Sequence, residues 1–292
     1  MSNQIPVNVE DCFTAVRALA QGVAELNRKQ ANSAQFAIIG GVAVAALTRP
    51  FINQMPNNVV NFVNIIRRQT QDVDMEIRCA GLDATWNRLN ALGYLPQGSD
   101  DLISAPGGTF TRSGSDRNPK YLLIRTHDNI GNPRNRNLEA VSFDISELST
   151  SRLLAYMDAA QVFTAASVEQ LQFDSLPTAL PTFRPHIVLV LKIEGATQRE
   201  ANTKKDYVDI GILVASADRL GFNRASFDPF RTRAAWAQIR QTVASWAASR
   251  AKAEQVVTWM QEQKYISPDT DVKRAAEDAW VGYFATLNGF IQ

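Results

Sequence analysis

The chain has 292 residues, 45% of them hydrophobic and 20% charged, which is enough apolar mass for a sizeable core in one elaborated domain or two domains. Thirty Lys and Arg residues against 29 Asp and Glu residues leave a formal charge of +1, which argues against a strongly basic nucleic-acid coat or an acidic tail. Two cysteines and two histidines argue against a disulfide framework, a cysteine or histidine-rich metal site and a Ser-His-Asp hydrolase.

The sequence gives no sign of a membrane protein. Its apolar runs are far shorter than the roughly 18 residues that a membrane helix needs. The N-terminus lacks the basic start and apolar stretch of a signal peptide. We therefore expect a cytoplasmic protein without a membrane partner, whose chemistry comes from carboxylates, lysines, arginines and backbone groups.

The predicted elements of the first part alternate between helix and strand. Apolar residues spaced by three and four predict a helix over 9–28. Residues 36–39 read as a short buried strand that runs into Gly40 and Gly41, and a helix over 42–47 follows, ending before Pro50. Segment 51–64 is ambiguous between a loop and a short inserted helix. Polar and apolar residues alternate over 72–78, which predicts a half-buried strand.

The remaining pattern changes near residue 149. Before it we predict a helix over 82–92 and extended segments at 109–112, 120–126 and 139–145, separated by stretches rich in Gly, Ser, Asn and Pro. After it helical patterns dominate. The predicted fold class is therefore α+β, a mixed sheet with flanking helices followed by a mainly helical C-terminal half. We predict an α/β domain over 1–150 and a mainly helical domain over 151–292.

The tryptophans of the C-terminal half are predicted to belong to its core. Trp236 has an alternative interpretation, because it lies in sequence near Arg231, Arg233 and Arg240. Aromatic rings interleaved with cations are also typical of nucleic-acid surfaces.

Acidic residues on the predicted strands carry the main chemical signal. Alternate residues of a strand face the same side, so Asp72 and Asp74 are expected to project together from one edge of the sheet. Asp144 lies on an otherwise apolar strand that has no structural need for a charge. Hard oxygen ligands without nearby His or Cys suit Mg²⁺ or Mn²⁺. We therefore predict a metal site made of Asp72, Asp74 and Asp144.

The glycine pair adds a second signal. Glycines at a strand-to-helix turn let backbone N–H groups approach a phosphate, so Gly40 and Gly41 are candidates for binding a phosphate group. Taken singly, each feature has a simpler interpretation: a solvated strand end, a tight turn, or a helix-capping aspartate. Their order along the chain makes the combination more specific.

In that order the sequence resembles a known superfamily. A strand ending in Gly40-Gly41, then Arg68-x-Thr70-x-Asp72-x-Asp74, then a strand aspartate, resembles the DNA polymerase β-type nucleotidyltransferases. The Lys, Ala and Arg of 191–199 and the Lys-Asp and Asp of 205–213 are similar to the pattern of AbiEii-like abortive-infection toxins. The resemblance covers 36–214. Gly41 stands where many relatives have serine, and the segment between it and Asp72 is longer than is usual there.

The resemblance implies an enzyme that moves a nucleoside monophosphate from an NTP such as ATP to an acceptor hydroxyl, with release of pyrophosphate. It implies Mg²⁺ or Mn²⁺ as cofactor, and RNA (including tRNA ends) or a protein as acceptor. The catalytic residues that it implies are Asp72, Asp74, Asp144 and Lys192. The nucleotide-binding residues that it implies are Gly40, Gly41, Thr70, Lys192, Arg199 and Asp209.

The segment around Lys192 gives conflicting predictions of secondary structure. Its β-branched run at 187–191 favours a strand, whereas the resemblance implies a helix, and we predict the helix. On a helix Lys192 and Arg199 share one face, and Asp206 and Asp209 share a side of the next one. A cationic face opposite a carboxylate-rich strand edge suits a triphosphate. The simpler alternative is a solvated cationic face.

Two other functions remain open. Glycosyltransferases also use Asp-x-Asp to hold Mn²⁺ and a nucleotide sugar, but they need neither the upstream glycine pair nor the later strand aspartate. A non-catalytic nucleotidyltransferase-like module would bind a partner only. Such modules usually lose the carboxylates, and Asp72, Asp74 and Asp144 are all present.

Overall fold

The structure, a computed structural model, describes part of the chain. It covers residues 34–51, 72–79, 94–96, 120–125, 139–148, 151–172, 179–198 and 204–292, with single positions within 9–28, at 53 and at 65. For Asp72, Asp144 and several other strand residues it describes the backbone alone. The predicted elements at 82–92 and 109–112 lie outside the described residues, as does nearly all of 51–64.

The chain divides into two compact units, each assembled from separate segments. The first contains Met1–Ala43, Arg68–Ser151 and Phe163–Phe183, and the second contains Val44–Arg67, Arg152–Val162 and Arg184–Gln292. The division into 1–150 and 151–292 stays a prediction. The compact units differ from it, because segments from both sides of residue 150 contribute to each unit.

The described strands of the first unit form one mixed, seven-stranded sheet. The strands are β1 (Ala34–Ile38), β2 (Asp72–Cys79), β3 (Tyr94–Pro96), β4 (Lys120–Arg125), β5 (Glu139–Glu147), β6 (Val168–Leu171) and β7 (Leu180–Phe183). Their order in the sheet is β3-β4-β5-β2-β1-β7-β6. The pairs β2–β5 and β1–β7 are parallel, and the other neighbours are antiparallel.

The strands predicted from alternation and apolar runs are confirmed as β1, β2, β4 and β5. In β2, Val73, Met75 and Ile77 are at most 1% exposed, so one side of this strand faces a core as the alternation requires. The sequence pattern did not predict β6 and β7. Each has four residues, and β7 contains Pro181, which removes one hydrogen-bond donor and lowers strand propensity.

Helices make up most of the second unit. The described α-helices are α1 (Gly40–Thr48), which follows β1, and α2 (Pro185–Gln198), α3 (Lys205–Ala215), α4 (Ala217–Leu220), α5 (Ala234–Ala247), α6 (Arg250–Glu262) and α7 (Thr270–Ile291) of the second unit. The helix predicted around Lys192 is therefore confirmed as α2. Its apolar run is buried on successive residues, from Ile187 to Val190, and such all-round burial overrides the β-propensity of single side chains.

The core of the second unit is rich in aromatic rings. Trp236 is 1% exposed and stacks against Phe227 and Phe230, at centroid distances of 6.0 and 5.7 Å. The alternative that placed Trp236 on a nucleic-acid surface is therefore wrong, because its ring is enclosed by other rings. Trp246 and Trp280 are buried as well. No helix in the described part of the chain is long and apolar enough to cross a membrane.

Candidate active site

The pairing of β2 with β5 brings two of the predicted carboxylate positions together. In this parallel pair Asp74 is in register with Asp144, and Asp72 with Ser142. Neighbouring strands lie about 4.8 Å apart, so positions 74 and 144 are adjacent in the sheet. Asp72 lies two residues before Asp74 on the same strand. Residues far apart in the sequence thus meet where β2 begins.

The turn after β1 lies against Asp74. The Ile39 amide donates a hydrogen bond of 2.9 Å to the Asp74 carbonyl. Gly40 has a φ of 69°, and a Cβ built on it would lie 2.0 Å from Asp74 Oδ2. An L side chain fits neither the backbone conformation nor the space, so glycine is required at position 40. Gly40 and Gly41 open α1, where the first N–H groups of a helix have no partner within the helix.

The chemistry of these side chains fits a hard divalent cation. Oxygen donors on aspartates are ligands that Mg²⁺ and Mn²⁺ accept readily. The Gly40 backbone leaves the space beside the Asp74 carboxylate free of a Cβ. Among the side chains that the structure describes, no three His, Cys, Asp or Glu residues form a metal-binding group. The side chains of Asp72 and Asp144 lie outside that set.

Lys192 makes its described contacts within the second unit. Its Nζ lies 2.9 Å from Asp206 Oδ1 and 2.8 Å from Asp209 Oδ2. Lys192 is 6% exposed, Asp206 3% and Asp209 0%. Burial alone would lower the pKa of Lys192, but the attraction of Asp209 and Asp206 outweighs it and raises that pKa. The ammonium group is therefore already neutralised by buried carboxylates.

The predicted site residues thus fall into separate groups. Gly40, Gly41, Asp74 and the backbone positions 72 and 144 come together in the first unit. Lys192 and Asp209 come together in the second unit. Thr70 and Arg199 lie outside the described residues. How Lys192 and Asp209 serve a nucleotide stays a prediction.

Glu76, a buried acid on β2, was not predicted as a site residue from the sequence. It continues the alternation of Asp72 and Asp74 and is 3% exposed. That spacing, an acid at every second position of one strand, was a usable signal. The pairing of Asp206 and Asp209 with Lys192 was not predicted either, because it joins side chains of two different helices.

Comparison with known proteins shows similarity at the level of the fold. No protein-family model matches the chain, and no curated protein matches it. The crystal structure of an antigenic nucleotidyltransferase-like protein from Paracoccidioides brasiliensis is similar with a TM-score of 0.52 and 16% identity, covering 92% of this chain and 99% of that one. JHP933 from Helicobacter pylori gives a TM-score of 0.49 and 10% identity, covering 96% and 91%.

The first of these similarities supports a nucleotidyltransferase-like fold, as the resemblance implied. At 16% identity it concerns the fold alone and transfers neither substrate nor activity. Membership of the AbiEii-like branch stays a prediction.

Proposed function

We propose that the protein is a metal-dependent nucleotidyltransferase that moves a nucleoside monophosphate from an NTP to an acceptor hydroxyl. The observation that carries this proposal is the arrangement in the first unit: Asp74 in register with Asp144, and the Gly40 backbone against the Asp74 carboxylate. The nucleotidyltransferase-like fold supports it.

In the proposed reaction the acceptor oxygen forms a bond to the α-phosphorus of the NTP. The bond between that phosphorus and the bridging oxygen to the β-phosphate breaks, and pyrophosphate leaves with the electron pair. Asp144 accepts the proton of the acceptor hydroxyl. Most of the rate enhancement in such transfers comes from positioning and from neutralisation of charge.

Asp72, Asp74 and Asp144 would hold the Mg²⁺ or Mn²⁺ ions. When bound, such ions neutralise the triphosphate and stabilise the charge that develops on the leaving group. Asp74 supplies its carboxylate beside the turn at Gly40. The backbone N–H groups of Gly40 and Gly41, at the start of α1, would receive the triphosphate, because helix N-termini favour anions.

The nucleotide-binding roles of Thr70, Lys192, Arg199 and Asp209 belong to the same proposal. Lys192, with Arg199, would neutralise charge that develops on pyrophosphate. The described contacts of Lys192 support a second role as well, since its ammonium group holds Asp206 and Asp209 in place. The two roles give different results when Lys192 is replaced.

The acceptor in this proposal is RNA, including tRNA ends, as in the AbiEii-like toxins, or a protein, as elsewhere among nucleotidyltransferases of this fold. The test is incubation with each labelled NTP in turn, with Mg²⁺ and either total RNA or a protein extract. Transfer of label to one class of acceptor, together with pyrophosphate release, supports the proposal. Binding of an NTP without label transfer or pyrophosphate release, under every pairing, would indicate a non-catalytic module.

A further inference from the structure

Glu76 continues the line of acidic positions on β2. It follows Asp74 by two residues, so it lies on the same side of the strand, opposite the buried Val73, Met75 and Ile77. Its register partners are Ala37 on β1 and Ser146 on β5. Glu76 and its partner Ser146 each lie two residues further along their strands than Asp74 and Asp144.

The carboxyl group of Glu76 is held by two hydroxyl groups. Burial raises the pKa of Glu76 to about 8, against the opposing effect of hydrogen bonds with Ser151 and Ser146. Ser146 belongs to β5, and Ser151 lies just beyond it, where its amide donates to the Leu148 carbonyl at 3.2 Å. Glu76 therefore links β2 to β5 and to the segment that follows β5.

A buried acid at this place is unfavourable for the fold itself. Glu76 is 3% exposed, and its Oε2 atom has no hydrogen-bond partner among the described residues. An apolar side chain of similar volume would avoid the desolvation of a carboxyl group. Buried acids that are costly for folding are concentrated at functional sites. Glu76 lies one same-side position along β2 from Asp74, which is in register with Asp144.

We propose that Glu76 is a positioning residue that fixes Asp74 against Asp144 through its hydrogen bonds with Ser146 and Ser151. This inference rests on the proposed function, because it assigns Glu76 to the support of that metal site. Residues that orient metal ligands from behind are typically worth 10-fold to 100-fold in metal affinity or activity.

The test compares Glu76→Leu and Glu76→Gln in the full chain. We measure Mn²⁺ binding by electron paramagnetic resonance, pyrophosphate release at saturating NTP, and the melting temperature. Glu76→Leu is expected to melt at the same temperature or higher, and to lose about 10-fold or more in both Mn²⁺ affinity and kcat. Glu76→Gln, which keeps the hydrogen-bonding capacity, is expected to stay within about threefold of the parent.

Controls separate positioning from stability. Glu169→Leu replaces another glutamate of the same sheet, on β6, and is expected to leave Mn²⁺ affinity unchanged. Ser146→Ala removes one hydrogen-bond partner of Glu76 and keeps the glutamate itself, and it is expected to weaken Mn²⁺ binding even if Glu76→Leu fails to fold.

The outcomes are distinct for the two proposals. Unchanged Mn²⁺ affinity and kcat in Glu76→Leu, or in Ser146→Ala if the former does not fold, overturn the role of Glu76 and leave the proposed function intact. A parent protein that neither binds Mn²⁺ nor releases pyrophosphate overturns both.

Discussion

At the scale of single residues, Gly40 is the position where backbone conformation and site geometry coincide. Its φ of 69° and the 2.0 Å separation between an added Cβ and Asp74 Oδ2 mean that Gly40→Ala must displace the carboxylate. We expect this variant to lose Mn²⁺ binding and to be destabilised by more than the roughly 1 kcal/mol that a positive φ costs alanine.

Gly221→Ala is the matched control for Gly40. Gly221 has a φ of 68° and nothing within 4 Å of an added Cβ, so it carries the backbone penalty without the contact. Its variant should keep Mn²⁺ binding. Equal Mn²⁺ affinity in both variants, measured by electron paramagnetic resonance, would refute the placement of Asp74 beside Gly40.

Lys192 is the residue whose predicted role changes most when its contacts are known. Lys192→Ala removes the ammonium group that pairs with the buried carboxylates of Asp206 and Asp209. Removing one partner of a buried ion pair costs about 3–5 kcal/mol. We expect the free energy of unfolding, measured with urea, to fall by that amount. The triple variant Lys192→Met, Asp206→Asn, Asp209→Asn removes the charges of these three side chains and should recover much of the lost free energy of unfolding. A loss below about 1 kcal/mol in Lys192→Ala would contradict the cluster.

The same variant tests the predicted contact between Lys192 and the triphosphate. If the lysine neutralises pyrophosphate, kcat of folded Lys192→Ala falls by about a hundredfold or more, because that contact strengthens in the transition state. The double variant Lys192→Met, Asp206→Asn keeps the predicted nucleotide-binding Asp209, and it should then stay equally slow although part of its stability recovers. Recovery of kcat together with stability would assign Lys192 to holding the second unit alone.

His186 gives a prediction for the pH dependence of stability. Its ring packs 6.1 Å from Phe227 and 6.0 Å from Phe230, and burial, with repulsion from Arg184, lowers the pKa of His186 to about 4. A lowered folded pKa favours the neutral ring. The contribution of the neutral His186 ring to the free energy of unfolding is complete above pH 6.5. It is lost as the pH falls toward 4, by up to about 3 kcal/mol.

The check is chemical unfolding of the parent and of His186→Gln at pH 7 and pH 4. Carboxylates also titrate in this range, so the difference between the two proteins isolates the histidine. On acidification from pH 7 to pH 4, the free energy of unfolding of the variant should fall by about 3 kcal/mol less than that of the parent. Identical losses in the two proteins would show that His186 is not desolvated.

At the scale of elements, α3 and α7 meet at a glycine. A Cβ added to Gly211 would lie 1.8 Å from ring atoms of Trp280, whose side chain is fully buried. We expect Gly211→Ala to destabilise the protein by about 1–3 kcal/mol through overpacking. Exposed Gly282 and Gly289 on α7 have nothing within 4 Å of an added Cβ, and alanine there should stabilise by roughly 0.5–1 kcal/mol. Thermal unfolding that shows the same sign at all three positions would contradict this packing.

The elements also show what the sequence could predict. Alternation predicted β2 because Val73, Met75 and Ile77 repeat on one side. It could not predict β7, whose four residues are all buried and whose parallel pairing with β1 depends on a contact distant in sequence. The local propensity of the α2 segment favours a strand, and the helix was predicted only from the resemblance. Local propensity could not predict it, because burial on all sides depends on tertiary contacts.

The candidate site also has features that the sequence predicts and features that depend on the folded sheet. Asp-x-Asp on a strand is visible in the sequence, and so is the glycine pair. The register that sets Asp74 beside Asp144 is a property of the sheet and could not be predicted. The acid at Glu76 was visible, but its burial and its hydrogen bonds with Ser146 and Ser151 depend on β5 and on the segment that follows it.

At the scale of the whole molecule, the candidate carboxylate positions lie in the first unit. Its strands carry Asp74 and the backbone positions 72 and 144, while the second unit holds Lys192 within its own buried cluster. The proposed metal binding therefore depends on the pairing of β2 with β5. The proposed function requires that Asp74 and Asp144, at adjacent positions of β2 and β5, are catalytic.

The most direct measurement is the steady-state rate of pyrophosphate release at saturating NTP with Mg²⁺ and acceptor. It compares the parent with Asp74→Asn and Asp144→Asn, and with Asp228→Asn as control, since the Asp228 side chain is 65% exposed. We predict that the first two variants remain folded and lose at least about a hundredfold in rate, whereas the control stays within about twofold. Rates in folded Asp74→Asn and Asp144→Asn within about twofold of an active parent would contradict the claim.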